Sequence, residues 1–253
     1  MAPNTAQEMF MNHLTISVPT DETQDIKLLL ENLSYLPLAI AQAAAYLNQN
    51  KTMKIKDYLS LLNAQDIEAF QINSNLAQDK SPTHVIPRSI IMTLLTSLDQ
   101  MRHGHPLATY FLCLMACVDR KDILLDYLNP WSKEREDAIK LLSDYAVVIR
   151  RPAVSAVDLH RLVHLAVRRW IENYESIDKW TETAVRRLVE VFPDHNHGNR
   201  SKWRRLLPHA RYALSRGSID LDNDDRMTLI WKCAMSLYED GQHNEAEGLF
   251  VQV

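Results

Sequence analysis

The sequence predicts a mainly α-helical protein with one short β-hairpin, on three observations. Apolar residues recur at helical spacing in most segments of the 253-residue chain. A β-branched, roughly alternating pattern replaces this spacing at AVVIR (146–150) and VSAVDL (154–159). The chain has only 5 glycines, which argues against a β-sandwich, a glycine-rich phosphate loop or a dinucleotide-binding turn, because each needs several positive-φ positions.

The helices ahead of the hairpin begin at capping residues or at prolines. Thr20 and Asp21 can cap one helix, and Pro37 suits the first turn of the next, where its missing N–H has no helical partner to lose. This second helix (37–48) is rich in alanine, so we expect it to be buried. The remaining ones are predicted at 55–62, from Pro87, from Pro106, from Asp119 through Ile123, Leu124 and Leu128, and from Ser132 to Leu142, with a polar loop at 71–84.

A further helix follows the hairpin at once. Its apolar side is formed by Leu162, Leu165, Ala166, Trp170 and Ile171. Three helices, a two-stranded hairpin and a returning helix make the outline of a winged-helix domain. After a polar break at 173–178, the chain is predicted to be helical to its end, at 179–192, 201–216, 224–240 and 244–253.

Composition and charge exclude several classes of protein. Hydrophobic residues make up 46% and charged residues 24%, so the chain is not disordered throughout. No run of about 18 apolar residues and no secretory signal is present, so we expect no membrane span. Three cysteines without a CxxC spacing indicate a reducing compartment, and we expect a cytoplasmic location. The net charge of -4 disfavours nucleic-acid binding by the chain as a whole.

The last predicted helix pair has the spacing of a tetratricopeptide repeat (TPR). Ala234 and Ala246 are small enough for two helices to cross closely, Leu237 and Phe250 fill the space beside them, and Gly241 permits the turn. The pair resembles the first repeat of such an array, although a plain amphipathic helical hairpin has the same pattern. His243 stands where the repeat often has an aromatic residue.

Two further motifs occur in an order that is typical of one family. LSYLPLAIAQAAAYL (33–47) resembles the GLPLA motif of NB-ARC ATPases, the nucleotide switches of NLR-type receptors, and VDLHRLVHLAVRRW (157–170) resembles their MHD motif. The stretches 107–123 and 190–210 look like the winged-helix part and the helical linker of fungal members with kinesin-light-chain-like repeats. The chain therefore resembles the C-terminal portion of a fungal NB-ARC (STAND-class) ATPase.

The resemblance implies that two residues meet ADP. In the family, the proline of the first motif packs against adenine and the histidine of the second reaches the β-phosphate, which would make Pro37 and His160 the cofactor-binding residues here. A proline ring is a flat apolar wall and an imidazole N–H donates to phosphate oxygens. The sequence departs from the pattern at Ser34 and Tyr35, where glycine is frequent, and at Arg161, which replaces an aspartate.

The chain contains no GxxxxGK[ST] motif, so it has no phosphate-cradling loop of its own. The nucleotide-binding core of such a protein would lie upstream of Met1, and ADP or ATP is expected only in the full-length context. We expect no catalysis and no catalytic residues in this chain alone, since no GxSxG, HExxH or paired-carboxylate motif is present.

The resemblance divides the chain into five parts and predicts a regulatory, interacting fragment of an NLR-like switch. We expect protein partners through the TPR region, a homo-oligomer in the full-length context, and neither nucleic acid nor membrane as a partner. The alternative is a stand-alone helical scaffold that binds proteins without a nucleotide role. The parts are the end of the core with an ARC-like helical bundle (1–70), a linker (71–86), a winged-helix domain (87–175), a helical linker (176–222) and an incomplete TPR hairpin (223–253).

Three other constellations have a plainer interpretation that we favour. His160 and His164 have a metal-binding spacing, but no third ligand is evident. The histidines of 103–105 and 194–197 are interpreted as residues of polar, solvated loops. Cys113 and Cys117 read as buried thiols. DNA binding is the rival for a winged helix, yet the helix ahead of the hairpin (132–145) is acidic and would repel phosphate.

Overall fold

A computed structural model describes residues 1–16, 22–64, 88–128, 133–216 and 224–251. Within these ranges the protein is mainly helical, with thirteen α-helices and one small three-stranded antiparallel sheet, as the sequence predicts. The helices are α1 (Pro3–His13), α2 (Thr23–Asn32), α3 (Pro37–Gln49), α4 (Ile55–Ala64), α5 (Arg88–Gly104), α6 (Pro106–Ala116), α7 (Leu125–Leu128), α8 (Lys133–Asp144), α9 (Arg161–Tyr174), α10 (Ile177–Val191), α11 (Arg200–Leu214), α12 (Asp224–Glu239) and α13 (His243–Phe250). The strands are β1 (Ile123–Leu124), β2 (Val148–Arg151) and β3 (Ala156–Leu159).

The predicted hairpin is confirmed and gains a third strand. β2 and β3 pair antiparallel, and Pro152–Val154 forms a short 3-10 turn between them. β1 pairs with the other edge of β3, in the register Ile123↔Val157 and Leu124↔Ala156. All four residues of β3 are buried, because the strand lies between two others and faces the helices.

The predicted helix that begins at Asp119 and includes Ile123 and Leu124 is wrong. The Asp119 carboxylate accepts a hydrogen bond from the backbone N–H of Lys121, two residues on, at 2.9 Å, which forms a local turn instead of a helix cap. Asp122 then has a left-handed backbone, with φ of 55°, which no regular helix contains. The chain therefore enters the sheet at Ile123 and becomes helical only in α7.

Several predicted capping residues lie outside the described residues, namely Thr20, Asp21, Pro87 and Ser132. The same holds for the polar loop at 71–84 and for Val253. The other predicted spans agree with the structure to within a few residues. None of the described helices combines the length and the apolar character that crossing a bilayer requires.

The alanine-rich helix α3 is buried, as predicted. Ala39, Ala43 and Ala44 have no exposed surface, and the helix packs against both α1 and α5. Side chains of a single methyl group allow these neighbours to approach from more than one direction. One continuous core runs from Ala6 in α1 to Ala246 in α13.

The last two helices form a tight hairpin. Ala234, Leu237 and Ala246 are at most 1% exposed, and Gly241 makes the turn between them with φ of +77°. Phe250, in contrast, is 37% exposed. The inner face of the hairpin is thus closed, and part of its outer face meets solvent.

Candidate functional site

The turn ahead of Pro37 has an unusual backbone. Ser34 and Tyr35 both adopt the left-handed region, each with φ of 52°, and the N–H of Tyr35 donates to the carbonyl oxygen of Leu30 at 3.1 Å. This arrangement ends α2 and sets Pro37 at the first position of α3. A left-handed backbone favours glycine, so Ser34 and Tyr35 occupy positions where glycine would be less strained.

A cavity of about 520 Å³ lies beside this turn. Small ligands typically bind in cavities of roughly 300–1,000 Å³. The lining of the cavity beside the turn includes the apolar residues Leu36 and Met92. It also includes Ser89, whose buried Oγ has no hydrogen-bond partner. The other described lining residues are polar: Asn32, Ser34, Asn63 and Arg88. Pro37 is exposed. It directly follows the lining residue Leu36 in the sequence but does not itself line the cavity.

His160 is the N-cap of α9, directly after β3. Its Nδ1 accepts a hydrogen bond from the backbone N–H of Leu162 at 3.2 Å. A neutral imidazole has one acceptor and one donor nitrogen, so this bond leaves the hydrogen on Nε2. The residue is exposed, and its donor is available to an acceptor such as a phosphate oxygen.

The surroundings of His160 are cationic. Partial burial lowers its pKa, and the positive charges of Arg120 and Lys121 lower it further. The amino-terminal end of the 14-residue helix α9 adds a partial positive charge. Sequence reasoning missed Arg120 and Lys121; the charged run DRKD (119–122) was the available signal. This surface suits an anion chemically.

The described contacts do not join Pro37 and His160. The cavity beside the proline turn has no described lining residue from the His160 region. Helices α3 and α9, which begin at these two residues, both pack against α5. Their convergence on one ADP cleft stays a prediction.

His164 has a structural role instead of a metal-binding one. It is 4% exposed, and its Nε2 donates to the carbonyl oxygen of Val118 at 2.9 Å. Burial lowers its pKa to about 4, so it is neutral at pH 7. No group of three potential ligands among His, Cys, Asp and Glu exists within the described part of the chain.

The cysteines are buried, as predicted for Cys113 and Cys117, and Cys233 is buried as well. Burial raises the pKa of Cys117 to about 11. A thiol in that state is a poor nucleophile. These residues therefore act as small apolar side chains.

Two arginines of the helices after α9 take part in contacts within the chain. Arg187 donates to the carbonyl oxygens of Asp126 and Tyr127 at 3.0 and 3.1 Å. Arg204 forms a bidentate pair with Asp240. In the acidic helix α8, Glu136 pairs with Arg150 of β2 at 2.6 Å.

Comparisons with known proteins give one informative match. The chain is 32% identical over 231 residues to a nucleotide-binding leucine-rich repeat (NLR)-like protein of Hyaloscypha variabilis, which covers 89% of this chain and 23% of that protein. The chain thus spans about a quarter of the length of this curated relative. No family model and no solved structure matches this chain. The protein is related to an NLR-like protein.

Proposed function

We propose that this chain is the regulatory and interacting part of an NLR-like nucleotide switch. In this proposal, the α1–α4 bundle and the unit from α5 to α9 retain ADP once a nucleotide-binding core is present. The observation that carries it is the placement of His160, an exposed N–H donor at a helix start with Arg120 and Lys121 beside it, in a chain related to an NLR-like protein.

The unit from α5 to β3 supports the winged-helix part of the proposal. Its elements follow one another as helix α6, strand β1, helices α7 and α8, and the hairpin β2–β3, with the strand order β1-β3-β2. Helix α9 then packs back on α5 and α6. This succession agrees with a winged helix whose wing is the 152–155 turn.

The terminal hairpin supports a TPR start. Its two alanines are buried at the helix crossing and a glycine with positive φ makes its turn. The name of the relative refers to leucine-rich repeats, whose units each contain a short strand. Residues 224–251, in contrast, contain two helices and no strand. Partner binding through a TPR array would then be the output of the switch.

The test of the nucleotide role is the release rate of a fluorescent ADP analogue from the protein joined to a P-loop core. We expect His160→Ala to speed release roughly 10- to 150-fold, because one charge-assisted hydrogen bond contributes roughly 1.5–3 kcal/mol. His103→Ala, an exposed histidine near the end of α5, is the control and should release ADP at the wild-type rate. Equal rates in His160→Ala and wild type would refute the role of His160.

A protein-binding scaffold without a nucleotide role is the second candidate. It is favoured by a groove of about 430 Å³ between α11 and the terminal hairpin, lined by Leu207, Pro208, Leu237 and the Arg204–Asp240 pair. Calorimetry separates the two candidates. A core-joined protein that gives no heat at high micromolar ADP supports the scaffold.

A further inference from the structure

The short turn 119–122 is fastened to the strand that leads into His160. The backbone N–H of Asp122 donates to Oδ1 of Asp158 at 2.7 Å, and Nζ of Lys121 reaches Oδ2 of the same carboxylate at 3.1 Å. One residue further, the N–H of Leu159 donates to the carbonyl oxygen of Arg120 at 2.8 Å. Three hydrogen bonds therefore join the turn to the residues directly ahead of His160.

Helix α11 holds the same turn from the other side. Nε and Nη2 of Arg205 donate to the two carboxylate oxygens of Asp122 at 2.7 and 2.8 Å. One helical turn later, Nε2 of His209 lies 3.1 Å from the carbonyl oxygen of Asp122. Bidentate guanidinium–carboxylate pairs fix geometry as well as distance, so the position of α11 is tied to that of the turn.

Helix α11 thus bonds both the carboxylate and the backbone carbonyl of Asp122. Hydrogen bonds from Arg205 hold the pKa of the Asp122 carboxyl below its ordinary value. Nη2 of Arg205 also donates to the carbonyl oxygen of Val154 in the wing, at 3.1 Å. One side chain of α11 thus contacts both the turn and the wing, on either side of β3.

We propose that Asp122 and Arg205 are positioning residues that couple helix α11 to the anion-facing side of His160, by setting where Arg120 and Lys121 lie. The functional meaning of this coupling rests on the proposed function: α11 leads to the terminal hairpin, so displacement of α11 would change the cationic surface around His160. Local sequence patterns do not predict the Asp122–Arg205 pair, because 83 residues separate the two side chains.

The neighbouring arginine provides a matched control. Arg204 lies next to Arg205 on α11 but forms its bidentate pair with Asp240, at the end of α12. A change at Arg204 therefore disturbs the same helix without touching the turn.

The test is an NMR titration of the His160 imidazole in the ligand-free chain. The groups that act on it are Arg120 and Lys121 in the turn, with Asp158 and Arg161 flanking it in sequence. Asp122→Gly suits the left-handed backbone and removes the carboxylate. Loss of a nearby negative charge alone would lower the pKa of His160. Without the Arg205 pair the turn is held less firmly and its two cations can move away from the ring, so we expect the pKa to rise, by about 0.5.

Arg205→Lys keeps the charge but loses the bidentate geometry, and we expect a smaller rise; Arg204→Lys should leave the pKa of His160 unchanged. A lowered or unchanged pKa in Asp122→Gly overturns the proposal. If that variant does not fold, an unchanged pKa in Arg205→Lys overturns it. Because no nucleotide is present, this outcome is independent of ADP release in His160→Ala, and the two proposals can fail separately.

Discussion

Two histidines one helical turn apart have opposite roles, which their surroundings assign. His160 lies at the start of α9, exposed, with one nitrogen capping the helix. His164 lies beneath it, buried and bonded to the carbonyl oxygen of Val118, with the ring of Tyr212 against its edge. Burial disfavours a charged imidazole. His164 therefore contributes to stability in its neutral form, whereas His160 is available to a ligand.

At this scale we predict that stability falls between pH 6.5 and 4. The pKa of His164 is about 4 in the folded chain and 6.5 ordinarily, so in this window the unfolded chain binds a proton that the folded chain does not. The contribution of neutral His164 to the free energy of unfolding is fully present above pH 6.5. It is lost as the pH decreases towards 4, by up to about 3 kcal/mol. Denaturant unfolding at a series of pH values measures it. His164→Gln should make the profile shallower, and part of the remaining slope is due to buried His209, whose pKa burial also lowers. The exposed His13→Gln should keep the wild-type profile. A profile in His164→Gln as steep as that of the wild type would contradict the assignment.

At the scale of the element, the terminal hairpin depends on one backbone conformation. Gly241 has φ of +77° in the turn, while Gly248 lies within α13. An added Cβ meets no atom within 4 Å at either position. The two glycines therefore differ in backbone conformation and not in available space.

This difference predicts substitutions of opposite sign. Gly241→Ala should destabilise the chain by roughly 1–2 kcal/mol, because a side chain disfavours left-handed φ. Gly248→Ala should stabilise it by about 0.5–1 kcal/mol, because glycine weakens a helix interior. Thermal and denaturant unfolding of both variants provide the test. Equal effects would mean that the Gly241 turn is not formed in solution.

At the scale of the whole molecule, α10 joins the elements before it, α1 to α9, to the helices after it, α11 to α13. It packs on α6 and α7 on one side and on α11 and α12 on the other. Its Trp180 ring lies 5.5 Å from that of Tyr110 in α6, and Arg187 bonds to two carbonyl oxygens of α7. Residues of α10 thus cover part of the core formed by the elements before it.

A truncation tests this dependence. A chain of residues 1–175 lacks α10 and exposes the apolar surface of α6. We therefore expect it to melt at a lower temperature than residues 1–216, by roughly 2–8 °C for 1–2 kcal/mol. Calorimetry of both fragments measures the difference. If the shorter fragment melts at the same temperature, the winged-helix unit is independent of α10.

The predictable features of this protein are those that neighbouring residues specify. Helical spacing located α6 and α9, proline located the start of α3, and β-branched alternation located the hairpin β2–β3, because each signal acts within a few residues. The same local chemistry identified the buried alanines and the glycine turn of the terminal hairpin.

The features that escaped prediction depend on pairing between distant segments. Ile123 and Leu124 are apolar residues that fit a helix equally well, and they form a strand because β3 offers an unpaired edge 33 residues later. Similarly, the sequence DRKD (119–122) indicates only a charged segment. Its position beside His160 depends on the hydrogen bonds of Asp122 with Arg205 and Asp158. Hydrogen bonds across such separations follow from the packing of whole elements, which local periodicity does not encode.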